Sequence, residues 1–138
     1  MDTPSLTMAQ KIAEIASDLG RKRTGLTPKS VTVVHADGTL VITLNGALSP
    51  AEMELAKTDA GAAKVQEFHR ELFISNSLAL RSEIERITGV QVRAATAEVE
   101  PSSGTVVAVF ATGTIVQVFL LKTVVDEALW NASATPGV

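Results

Sequence analysis

The stretch Val31-Thr32-Val33-Val34-His35-Ala36-Asp37-Gly38-Thr39-Leu40-Val41-Ile42-Thr43-Leu44-Asn45 decides the fold class. Val31 to His35 is rich in β-branched residues and predicts a strand. Asp37-Gly38 predicts a type I′ turn, which needs φ > 0 at both central residues. Thr39 to Asn45 predicts the returning strand. Leu40, Ile42 and Leu44 alternate with Val41, Thr43 and Asn45, so one face is expected to be buried.

Outward from this hairpin, the signals on both sides are helical. Thr3-Pro4 predicts an N-cap with proline at the first helical position. Met8, Ile12, Ile15, Ala16 and Leu19 then recur at helical spacing, giving a helix over 4–20 that ends near Gly20. Residues 21–30 read as a connector. After the hairpin, Ser49-Pro50-Ala51-Glu52 is a capping box with proline at N1, and Leu48 with Met53 has the spacing of a hydrophobic staple. A short helix over 50–57 follows. Thr58 or Asp59 caps a long helix over 60–88, whose middle at Ser75-Asn76-Ser77 invites a kink, and Gly89 stops it.

Beyond Gly89, residues 90–99 read as a third strand and Pro101-Ser102-Ser103-Gly104 as a turn. Thr105 to Ala111 reads as a fourth strand. Val118, Leu121, Val124, Val125, Ala128 and Leu129 fit one helical face, which predicts a C-terminal helix over 118–129. The expected fold is α+β in the order α-β-β-α-α-β-β-α. Two hairpins form one antiparallel sheet with helices packed on one face. A single domain is expected over 1–130, with a flexible tail at 131–138.

The totals narrow the function. Of 138 residues, 46% are apolar and 20% charged, which excludes a disordered chain. The net charge of −3 argues against nucleic acid as a partner. There is no cysteine, so disulfides, thiolate metal sites and cysteine nucleophiles are excluded. The N-terminus has neither a basic nor an apolar signal region. Pro101 to Leu121 carries no charge and is long enough to span a bilayer. Its serines, threonines, glycines and Gln117 favour a buried strand instead, so no membrane span is expected.

The candidate binding residues are Arg21, Lys22, Arg23 and Lys29, with His69 and Arg70. The basic run at 21–29 suits an anion. The negative end of a helix dipole accounts for it more simply. His69 beside Arg70 suits an acid, base or ligand contact, although neighbours in a helix face different ways. The acidic pairs Glu52/Glu54, Glu83/Glu85, Glu98/Glu100 and Asp126/Glu127 read as solvated surface. No phosphate-cradling loop, nucleophile elbow or metalloprotease motif is present. No catalytic residue, metal or cofactor is expected.

The run Leu44-Asn45-Gly46-Ala47-Leu48-Ser49-Pro50-Ala51-Glu52, followed by Leu55-Ala56-Lys57-Thr58 and Gly61, resembles the MpsC-like family. The likeness continues through Arg70-Glu71-Leu72 and Thr88-Gly89-Val90-Gln91-Val92 and covers roughly 8–111. His69 departs from the basic pair common in that family. The resemblance implies a bacterial, cytoplasmic accessory or regulatory subunit of a cation-translocating, membrane-potential-generating system. Related systems are connected with inorganic-carbon uptake, and other components supply the membrane parts. It implies no enzyme activity and no catalytic residues.

Three classes of function follow. The first is a non-enzymatic interaction module, a homodimer that also meets a membrane transporter subunit. Its basis is an apolar surplus in the long helix and the C-terminal stretch. The second is a small-ligand or anion-binding module using the 21–29 connector. The third is a hydrolase or lyase resting on His69 and dispersed carboxylates.

Overall fold

The structure is a computed structural model that describes residues 6–92, 107–109 and 113–132. Helix α1 spans Met8–Thr24. Its N-cap is Thr7, in a capping box with Gln10, and not the expected Thr3, which lies outside the described residues. The helix also runs through Gly20. Arg21, Lys22 and Arg23 are good helix formers and sit in its last turn, where cations favour the carbonyl end. The stop is Gly25, at φ 77°, whose N–H donates to the Arg21 carbonyl.

Strands β1 (Ser30–Ala36) and β2 (Thr39–Asn45) form the expected hairpin. Asp37 and Gly38 have φ of 49° and 76°, as a type I′ turn requires. Helix α2 is Pro50–Leu55, two residues shorter than expected. Leu48 is buried, whereas Met53 is 38% exposed and its sulfur lies close over Gly113. Helix α3 runs from Asp59 to Thr88 with Thr58 as N-cap and Gly89 as C-cap. It continues unbroken through Ser75 to Ser77, since Phe73, Ser77, Leu80 and Ile84 keep one face buried across that point.

Strand β3 is Val107–Val109 and strand β4 is Ile115–Leu120. The sheet has four strands in the order β1-β2-β4-β3, all antiparallel. Two hairpins therefore build it, as expected, but the second described hairpin is β3–β4. Its strands flank Gly113, at φ 91°. The expected turn at 101–104 and residues 93–99 of the expected strand lie outside the described residues. Residues 90–92 of that strand are described: the Gln91 carbonyl accepts from the Lys122 N–H, and Val92 is bridged to Leu121. Glu85 accepts its N–H and Arg81 donates to its carbonyl, so α3 holds this bridge in place.

The expected C-terminal helix over 118–129 is not found. Residues 115–120 are strand, and only Glu127–Asn131 is helical, as α4 behind the N-cap Asp126. The reason is physical. Ile115, Phe119 and Leu121 face the core, but Val116, Val118 and Leu120 on the opposite face are apolar too. Period-two alternation is thereby masked, and a helical stripe fits the same letters. The expected tail begins inside α4 at Asn131, and residues 133–138 lie outside the described residues.

The core lies between the inner sheet face and the helices. Val33, Leu40, Ile42, Leu44, Ile115 and Phe119 meet Ile12 and Ala16 of α1 and Phe73, Leu80 and Ile84 of α3. Phe73 and Phe119 pack with ring centroids 5.5 Å apart. Each such fully buried side chain contributes about 1.5–3 kcal/mol. Gly61, in the first turn of α3, lets that helix approach α2. A Cβ there would lie 1.8 Å from the Leu55 carbonyl oxygen.

Candidate functional site

Glu52 joins two helices. Its Oε1 accepts from the Ser49 N–H at 3.0 Å, which closes the capping box of α2. Its Oε2 lies 2.5 Å from Nε2 of His69 on α3. Burial by itself raises the Glu52 carboxyl. The Ser49 backbone and the His69 ring outweigh it together, so the group titrates below its ordinary value. An ionised Glu52 can only accept, so the proton of the short contact sits on Nε2 of His69. His69 is 6% exposed and Glu52 21%, so this is an interior tie and not a surface pair.

His69 also lines a partly enclosed cavity of about 40 Å³ beneath α1 and α3. Ala16, Gly20, Arg23 and Thr24 of α1 form one side, with Leu26 and Pro28 after it. Leu72 and Phe73 of α3 form another, and Leu44, Ile115 and Gln117 form the sheet floor. Gln117 is buried, and its Oε1 has no hydrogen-bond partner among the described residues. Arg23 is half-buried, and desolvation lowers the pKa of its guanidinium.

Two of the candidates chosen from sequence thus converge. Arg23 and His69 come from separate elements and reach one cavity. The others disperse. Arg21 is exposed and pairs with Asp18 at 3.4 Å, and Lys22 is exposed. Lys29 is exposed with its stem lying across Gly46, while its N–H donates to the Asn45 carbonyl. Arg70 pairs with Glu67 on the outer side of α3. Sequence reading missed Gln117 and the second role of Glu52. Gln117 had one available signal, as the sole hydrogen-bonding side chain of the run 115–121. Glu52 had none beyond its capping position, because its link to His69 crosses seventeen residues. His35 serves the packing: it stacks on Trp130 at 5.3 Å and accepts from the Val125 N–H at 3.4 Å. No group of carboxylates and histidines suited to a metal ion occurs among the described residues.

A second feature is the outer face of the sheet. The register places Val34, Val41 and Val118 side by side across three strands. Thr32, Thr43 and Val116 form the row on one side, and Ala36, Thr39 and Leu120 the row on the other. Val34 is 55% exposed, and Val41, Val116, Val118 and Leu120 are half-buried. None of these positions carries a charge. The helices α1 and α3 pack on the opposite face. Phe68, Ile74 and Leu78 add a separate exposed stripe on α3.

No helix among the described residues is long and apolar enough to cross a membrane. No curated protein and no solved structure matches the chain at a significant level. A family model does match over residues 5–114, that of the Na+-translocating membrane potential-generating system component MpsC. It takes in the capping box, the Glu52–His69 tie, the α1 side of the cavity and the first hairpin, and the chain belongs to the MpsC family.

Proposed function

We propose that this chain is a non-enzymatic accessory subunit of a Na+-translocating membrane system, acting from the cytoplasmic side. It works by binding, and the outer face of its sheet pairs with a second copy of the chain. The observation that carries this reading is the uncharged row Val34–Val41–Val118 across three strands, with Val34 exposed and the other two half-buried. An uncharged sheet face of this kind is a natural surface for a partner. A two-fold pairing suits it, because a face without charge meets its own copy with no like charges opposed. Sheets stacked in this way lie about 10 Å apart.

The size of the face sets the strength. Three strands at about 4.8 Å and six residues at about 3.4 Å give a projected area of roughly 300 Å² per copy. That is small beside the ~800 Å² per partner of a standard interface, so a weak dimer is expected. The connection to a Na+-translocating membrane system comes from the family and not from the geometry.

Sedimentation velocity from 10 to about 500 μM is the test. The expected result is a concentration-dependent shift from monomer to dimer, abolished by Val41→Glu with the fold unchanged by circular dichroism. A monomer throughout, or a dimer unaffected by Val41→Glu, overturns the self-pairing.

A further inference from the structure

The cavity under α1 and α3 contains polar groups that the protein leaves unanswered. Gln117 sits on the inner sheet face opposite Ile42, 8% exposed, with its Oε1 unpaired. A leucine of similar volume would avoid that standing cost. Arg23 lines the same cavity. Arg21, Arg70, Arg81 and Arg86 each pair with a carboxylate, whereas Arg23 has none among the described residues. Among the described residues, an arginine without a counter-ion and a buried amide oxygen without a partner therefore share one small space of mixed polar and apolar lining. At ~10–15 Å³ for each water-sized particle, the cavity has room for about three.

We propose that this cavity binds a small oxyanion, held by the guanidinium of Arg23 and the side-chain amide of Gln117. A guanidinium presents paired N–H donors in one plane, which match two oxygens of a planar anion and not a spherical halide. Turned about its last torsion, the Gln117 amide donates an N–H to an unprotonated oxygen of the anion. Phe73, Leu72, Leu44 and Ile115 keep the surroundings apolar, which strengthens both contacts. His69 closes the wall. Its Nε2 is committed to Glu52. The site is separate from the outer sheet face, and the two readings fail independently.

The probes are sodium formate and sodium nitrate, titrated against sodium chloride at constant ionic strength and followed by ¹H–¹⁵N chemical shifts. Saturable shifts are expected at the Gln117 side-chain amide and the Arg23 Nε–H. Arg23→Gln and Gln117→Leu should each weaken binding about tenfold or more, the loss of one charge-assisted or buried hydrogen bond. Citrate, too large for the cavity, should not compete. Gln117→Leu conserves volume and keeps the test valid if Arg23→Gln does not fold. Linear shifts without saturation, shifts confined to Arg21, Lys22 and Lys29, or affinity unchanged in Gln117→Leu would each overturn the proposal and leave the cavity as a water site.

Discussion

Replacing Glu52 with alanine removes two contacts made by one side chain. The Ser49 N–H loses its acceptor, and capping interactions of this kind contribute about 1 kcal/mol. His69, 6% exposed, is left without its partner, and an unanswered buried polar group costs about 1–3 kcal/mol. Glu52→Ala should therefore lower stability by about 2–4 kcal/mol. Glu52→Gln keeps one oxygen to accept from the Ser49 N–H, but it places an N–H2 donor where Oε2 met His69 and loses the charge, so about 1–2 kcal/mol is expected. Urea denaturation at pH 7 measures both, and a double-mutant cycle with His69→Ala isolates the pair, with a coupling of about 1 kcal/mol or more. The pH dependence carries a sign. The Glu52 carboxyl is depressed in the folded state, so its contribution is complete above the unfolded value of about 4.3. It is lost as pH falls through the folded value, and the gap between wild type and Glu52→Gln should close there. A Glu52→Ala loss below about 0.5 kcal/mol, or a coupling of zero, refutes the interior tie.

Two further outcomes follow from the packing. Gly61→Ala should destabilise by about 3 kcal/mol or more in the same denaturation assay, because the new methyl meets a backbone oxygen that cannot step aside. Its effect should exceed that of Gly89→Ala, where a Cβ meets nothing within 4 Å and only the left-handed φ of 72° is strained.

The parts of this fold that were legible in sequence have local causes. The Asp37-Gly38 turn and the Ser49–Glu52 box each place their signal within four residues, and both form as expected. Two boundaries of α1 were misjudged for equally local reasons. Pro4 drew attention from the Thr7–Gln10 box, and Gly20 looked like a stop although Gly25 is the residue at positive φ. The error at 118–129 had a different origin. Sequence periodicity assumes that the solvent face of a strand is polar, and here Val116, Val118 and Leu120 are not. The misreading and the proposed interface thus share one cause. The cavity was half legible. Arg23 stood out within the basic run and His69 beside Arg70, but only the packing of α1 against α3 brings the two together. Gln117 becomes notable only when its burial and missing partner are known.

The claim that the outer sheet face meets its own copy is tested most directly by cross-linking. The chain has no cysteine, so single-cysteine variants report on one position each. Val41→Cys lies at the centre of the face, between Val34 and Val118, and a bismaleimide with a spacer of about 10 Å matches the separation of stacked sheets. Ala63→Cys, exposed on α3, is the control. At concentrations above about 100 μM, Val41→Cys should give a covalent dimer within minutes while Ala63→Cys stays monomeric. Equal yields from the two positions, or no dimer from Val41→Cys, would contradict the account.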